Sequence, residues 1–250
     1  MKLDLFKKID SIAEEALHEK FIFLRDSLEL ENERKVLLDW TEGFVDRDNK
    51  IVKEFQTTFH SSFWEFYLYA LLRELNCEMD FSKDRPDFIV NTPYKFYIEA
   101  VVSNIKIGGR DETTRTIDDI LTMIVPPNKY PQFYTELDEA IVRNSNAIQS
   151  KSKKFLDSYK KCDWVDQNAP FVIALSSYNQ VNYGREYFYP CLALLYGQYF
   201  IPELDDYISR ESVNKPGTSS TIPLGMFLND EHKHISALVF TCTVTLGKLT

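Results

Sequence analysis

From residue 2 to about 19, Leu5, Ile9, Ile12 and Ala16, with their neighbours Phe6, Ala13 and Leu17, recur at helical spacing between Lys7, Lys8, Glu14 and Glu15. That period predicts an amphipathic helix. Residues 21–45 continue with Phe21, Phe23, Leu24, Leu28, Leu37 and Leu38 among many charges, which reads as helical or mixed structure. From Phe63 to Leu72 nearly every residue is apolar, so the next helix, ending near residue 75, is expected to be buried on all sides. Ser61 or Ser62 suits its N-cap and Asn76 its end. Strands are predicted at 78–81, 86–90 and 95–102, with turn residues at 91–94 joining the last two into a hairpin. A loop over 92–94 pairs Asn91 with Lys95 and sets Asp87 opposite Glu99. Cross-strand Cβ atoms lie about 4.5–5.5 Å apart, the right scale for two carboxylates to share a metal ion.

Beyond the hairpin, residues 103–135 carry loop chemistry around a short helix at 116–124. A long helix follows at 136–161, traced by Leu137, Ile141, Asn144, Ile148, Phe155 and Tyr159. Its second half is basic through Lys151, Lys153, Lys154, Lys160 and Lys161, against Asp157 alone. Pro170 opens the apolar run FVIALSS, read as a buried strand; a helix near 189–199, a polar loop at 209–221 and a strand at 234–245 complete the chain. His232 and His234 sit beside Asp230 and Glu231 in a polar turn, which favours a solvated loop over a metal site. The expectation is an α/β fold, a central mixed β-sheet flanked by helices. Residues 1–58 form an N-terminal helical extension packing on an α/β domain at 59–250, and the chain stops soon enough after its last strand to leave room for a further C-terminal portion.

Composition narrows the function. With 250 residues, 44% of them hydrophobic and 14% aromatic, the chain can bury a sizeable core. A formal charge of −9 argues against non-specific coating of nucleic acid, which draws on Lys and Arg, yet is compatible with a local basic groove. The four cysteines, Cys77, Cys162, Cys191 and Cys242, form no C-x-x-C pair and read as reduced thiols. The charged N-terminal residues do not suit a signal peptide, and the apolar run at 66–72 is far short of the ~20 residues that cross a bilayer. A cytoplasmic protein without membrane contact is expected. No P-loop, dinucleotide fingerprint or G-x-S-x-G context is present.

Three acids stand out because they interrupt apolar elements: Glu65, Asp87 and Glu99. An ionised carboxylate is costly to bury without a cation, a capping role or a hydrogen-bond network. Each has a structural alternative. Ser62 and Glu65 have capping-box spacing, Asp87 follows Pro86 where turn chemistry is common, and Glu99 could pair with a buried base.

In this order, a helix carrying Glu65 (FWEFYLYALLREL), a strand with Pro86-Asp87 (RPDFIV) and a strand with Glu99 (FYIEAVV), the segment resembles the PD-(D/E)XK, or restriction-endonuclease-like, nuclease superfamily. A looser likeness extends over roughly residues 60–245. The resemblance implies a restriction-endonuclease-like core and metal-dependent hydrolysis of phosphodiester bonds, with Asp87 and Glu99 holding Mg²⁺ (or Mn²⁺) and Glu65 assisting. Hard oxygen ligands suit such an ion, which activates water and neutralises charge on the scissile phosphate. The family keeps a lysine two residues after the second acid, whereas this chain has Val101. The resemblance then requires a cation from elsewhere. Lys151 is the first candidate, with Lys154 beside it and Lys95 a weaker choice; without one, the chain is a catalytically inactive module that binds nucleic acid or a protein. Arg143, Lys151 and Lys154 are the expected nucleic-acid contacts, with DNA expected before RNA; Arg143 could equally serve a structural carboxylate.

Overall fold

The computed structural model describes residues 3–178 and 180–250. Its chain groups into two units, Met1–Ala100 with Asn168–Pro170 and Val244–Thr250, and Val101–Gln167 with Phe171–Thr243.

The first unit departs from the periodicity at once. Residues 3–18 form turns and one 3-10 segment, Glu14–Ala16, where an amphipathic helix was expected; Lys2 lies outside the described residues. The reason is tertiary. Gln56, 2% exposed, donates from Nε2 to the carbonyls of Leu5 (2.9 Å) and Lys7 (3.0 Å), and its own carbonyl accepts from the His18 amide at 2.8 Å. The carbonyls that a helix would bond internally are held by a buried amide instead. Helices α1 (Glu19–Asp26), α2 (Glu31–Trp40), α3 (Ile51–Thr57) and α4 (His60–Glu74) follow. Their aromatic residues interlock: Phe55 meets Phe21 edge-on with ring centroids 5.7 Å apart and Phe66 at 5.6 Å, and Phe44 meets Phe66 at 5.3 Å.

Helix α4 starts earlier than its serines suggest. The amides of Thr58 and Phe59 both donate to the Glu54 carbonyl, and buried Phe59 takes a left-handed φ of 40° that turns α3 directly into α4. Ser62 therefore lies inside the first turn, fully buried, and is not the cap. Nor is α4 buried all round. It packs on α2 and α3, and elsewhere on its surface Tyr67 is half-buried and Leu71, one turn on, is exposed, while Glu65 is half-buried on a different side. Asn76 ends the helix as expected, at φ 56°, with the Cys77 amide bonding back to the Leu72 carbonyl at 2.9 Å. Strands β1 (Glu78–Met79), β2 (Phe88–Thr92) and β3 (Phe96–Val102) are antiparallel neighbours in sequence order, and β3 runs through the unit boundary.

In the second unit, α5 (Ile117–Thr122) is opened by a Thr116/Asp119 capping box and α6 runs over Phe133–Asp157. A 3-10 turn, Tyr159–Lys161, follows because buried Tyr159 packs edge-on against Phe155, so Lys160 and Lys161 lie outside the helix. Strand β4 (Phe171–Ser176) packs under α6, and α7 (Tyr189–Tyr196) packs beside it. Gly197 stops α7 at φ 67°, and a Cβ there would meet the Arg210 carbonyl at 3.0 Å. One hairpin, β5 (Gln198–Ile201) with β6 (Asp206–Ser209), follows α7, and a second, β7 (Ser212–Asn214) with β8 (Thr221–Pro223), spans most of the expected polar loop. Polar residues there mask the Val213–Ile222 pair that joins β7 to β8. Strand β9 (Ala237–Thr241) runs parallel to β4, so the five-stranded central sheet of this α/β protein is mixed. Among the described residues no helix is long and apolar enough to cross a membrane.

The turn before β9 is not the solvated loop its acids suggest. His234 is half-buried, meets Ser152 Oγ through Nε2 at 2.7 Å and stacks on Phe155, while His232 Nε2 lies 3.0 Å from Gln149 Nε2. Burial, then the neighbouring His232 and Lys160, push the His234 pKa below its ordinary 6.5.

Two outcomes follow. Replacing Gln56 with Ala leaves the buried Leu5 carbonyl and the partly buried Lys7 carbonyl without their donor and is expected to cost about 1–3 kcal/mol in urea unfolding, an effect an exposed amide would not give. For His234, the unfolded chain takes up a proton at a higher pH than the folded one. Its contribution is therefore intact above about 6.5 and lost as pH falls below that value. Unfolding midpoints measured from pH 7.5 down to 5 should fall less steeply in His234→Gln than in the parent.

Candidate functional site

The hairpin register is Phe88 with Ile98, Ile89 with Tyr97 and Val90 with Phe96. One step further, Asp87 lies opposite Glu99. This is the pairing the turn predicted, and opposite residues of an antiparallel pair share a face. Asp87 is half-buried and Glu99 is 0% exposed.

Backbone bonding fixes Asp87 as well. The Tyr97 amide donates to the Pro170 carbonyl at 2.9 Å, so alternate amides of β3, those of Ile98 and Ala100, face β2. At the end of the ladder the Ala100 amide donates to Asp87 Oδ2 at 2.7 Å. The Pro86 carbonyl, which the ladder would otherwise offer, accepts from Arg47 Nη1 at 2.9 Å. Arg47 also donates to the carbonyls of Lys83 (2.8 Å) and Asp87 (3.1 Å), and its guanidinium lies 5.9 Å from the Phe81 ring centroid. One arginine thus holds the strand entry that carries the acid. Sequence reasoning missed it because Arg47 sits among charges at 46–50, with no apolar pattern to mark it.

The capping alternative for Glu65 is removed by the start of α4 at His60. Glu65 remains half-buried on the helix that precedes the hairpin. Two facing carboxylates, one completely enclosed, form an all-oxygen donor set whose chemistry fits a hard divalent cation.

The cations expected from the sequence sit at the start of β3 and on α6. Lys95 lies 5.9 Å from the Tyr97 ring centroid, at the far end of its strand. Lys151, half-buried, and Lys154, exposed and 5.3 Å from the Tyr159 ring centroid, belong to α6 of the second unit. Arg143, also on α6, serves a structural carboxylate: Nη2 donates to Glu186 Oε1 at 3.0 Å and Nη1 to Ser103 Oγ at 2.9 Å, with 10% of the arginine side chain and 4% of the glutamate exposed. Gln180 Nε2 supplies Glu186 Oε2. Burial nonetheless pushes the Glu186 carboxyl up, with Arg143 opposing.

A second acid and base lie in the same unit. Glu136 accepts from Asn182 Nδ2 at 2.5 Å and from the Tyr130 hydroxyl, and its Oε2 is 3.8 Å from Arg185 Nε. Burial raises both the Glu136 carboxyl and the Tyr130 hydroxyl, the latter to about 12. The Arg185 guanidinium covers the Tyr130 ring at 3.8 Å and donates to the Thr122 and Val125 carbonyls. Sequence reasoning also passed over these residues. The available signal was the adjacent charges of Arg185 and Glu186 set between Tyr183 and Tyr187.

No family model, curated protein or solved structure matches this chain.

Arg143→Met is expected to destabilise the protein by about 3–5 kcal/mol, because it leaves the enclosed Glu186 charge without its base. Adding Glu186→Gln should recover much of that loss. A chemical-denaturation double-mutant cycle measures the coupling, and additive losses would refute the pairing.

Proposed function

We propose that the protein is a metal-dependent phosphodiester hydrolase acting on nucleic acid, of the PD-(D/E)XK type that its hairpin resembles. The observation that carries this reading is the register that sets Asp87 against Glu99. In it, Asp87 and Glu99 hold Mg²⁺ or Mn²⁺ and Glu65 is the auxiliary acid. Such an ion supplies charge neutralisation at the scissile phosphate and a more acidic water. The protein's own share is positional. Ala100 fixes one oxygen of Asp87 and Arg47 fixes the backbone that bears it, so the acid needs little reorganisation to meet a cation. Lys151 is proposed as the cation replacing the family lysine, and Lys154 as a contact to the phosphate backbone. Arg143 is proposed as an indirect contributor that shapes the α6 surface through Glu186. DNA is the first substrate to test, then RNA.

Val101 supports a second reading, a nuclease-like module that binds nucleic acid or a protein without cutting it. An aliphatic side chain can neither orient nor deprotonate a water.

Calorimetry and cleavage assays together separate these. The first reading expects Mn²⁺ binding that is lost in Glu99→Gln, and Mg²⁺-dependent cleavage of single- or double-stranded DNA or RNA that drops at least about 100-fold in Asp87→Asn. It also expects Lys151→Ala to lower cleavage while leaving Mn²⁺ affinity unchanged. Metal binding without cleavage selects the inactive module. Absence of metal binding, or cleavage indifferent to Asp87, ends the metal-site proposal.

A further inference from the structure

The second unit contains a cleft of about 590 Å³ that the hairpin acids do not line. Its floor is a stripe of α6, Glu139, Val142, Arg143, Asn146, Ala147 and Ser150, at spacings of three, one, three, one and three residues. That is one helical face left without a covering element. One wall is Val101 and Val102 at the end of β3 with the 104–107 segment, and the β7–β8 turn contributes Lys215 and Pro216. The size falls in the ~300–1,000 Å³ range of small-molecule sites, and apolar walls with a few convergent polar groups are their usual lining.

The polar groups differ in how far they are committed. Lys106 pairs with Glu139, and Arg143 with Glu186, so these charges are balanced within the protein. Exposed Lys215 has no ion-pair partner among the described residues. Likewise, exposed Asn104, Asn146 and Ser150 make no side-chain hydrogen bond to protein among the described residues. The cleft thus presents one uncompensated cation, two carboxamides offering donors and acceptors, a hydroxyl, and flat aliphatic surface from Val101, Val102, Ile105 and Val142.

We propose that this cleft binds a nucleoside monophosphate. The aliphatic walls accommodate a planar base, Asn104 and Asn146 match its edge, since a carboxamide can donate and accept side by side, and Lys215 meets the phosphate. Inorganic phosphate would leave the apolar walls and carboxamides unused, and an aliphatic acid would leave the carboxamides unused. The proposal stands on second-unit residues and does not depend on the hairpin acids.

Calorimetric titration of the full chain with adenosine, guanosine, cytidine and uridine 5′-monophosphates, each nucleoside, and inorganic phosphate tests it. At least one monophosphate should saturate, with its nucleoside and inorganic phosphate each at least about tenfold weaker, which is 1.4 kcal/mol or more. Lys215→Glu and Ser150→Trp alter exposed positions, so folding is preserved, and each should weaken the monophosphate about tenfold. Asp87→Asn should leave this binding unchanged, so a dead hairpin and an empty cleft are distinguishable failures. No saturation by any monophosphate, phosphate binding as tight as the nucleotide, or binding that survives both cleft substitutions would overturn the proposal.

Discussion

The pairing register of β2 and β3 governs what the first unit can do, because a slip of one residue exchanges the two faces of a strand. Both faces here are enclosed. Phe88, Val90 and Ile98 on one face and Ile89, Tyr97 and Glu99 on the other are each no more than 5% exposed. A slip of one residue would set Ile98 or Ala100 opposite Asp87 and part the two acids. The chain guards against this at the open end of the ladder. There the Asp87 carboxylate takes the Ala100 amide and Arg47 takes the displaced Pro86 carbonyl, so the last rung is completed by two side chains that fit only this register.

Helix α6 plays the corresponding part in the second unit, with two separate faces. Leu137, Ile141, Asn144, Ile148 and Phe155 are buried, while the stripe from Glu139 to Ser150 floors the cleft. Arg143 lies on the border between them. Its guanidinium joins Ser103, just after β3, to Glu186 in the segment before α7. A rigid helix with a buried ion pair at its edge keeps the cleft floor in place. The neighbouring 104–109 and 215–220 turns bring Asn104 and Lys215 to it, which is the usual division between scaffold and binding loops.

What was legible in the sequence was local. Asn76 stops α4 through its own left-handed backbone, and the 92–94 turn sets the β2–β3 register without outside help. Misreadings came where a distant group overrode a local pattern. Gln56 captures the carbonyls of Leu5 and Lys7 and dissolves a plausible amphipathic helix, and the Glu54 carbonyl starts α4 ahead of Ser62. The histidines near β9 were misjudged for the same reason, since the acids beside them are neighbours in sequence while Ser152 and Phe155 are neighbours in space. Of the candidate site, the acid pair was visible because its members interrupt apolar strand segments. Arg47 and Glu186 were hidden because the contacts that define them span 36 to 43 residues.

The basic residues divide by chemistry, and the division bears on where an anion can be met. Arg47, Arg143 and Arg185 are each committed to carbonyls or carboxylates through more than one nitrogen. A planar guanidinium with several fixed donors suits such joints, whereas an ammonium on a flexible stem suits a mobile charge at a surface. Lys153, Lys154 and Lys215 are the exposed counterparts. With 38 acids against 29 bases, the chain lacks the diffuse positive field that draws nucleic acid from a distance. Recognition of a phosphate must therefore come from individual lysines at short range. Affinity then depends on a few short-range contacts, and an isolated nucleotide suits the single uncommitted lysine of the α6 cleft.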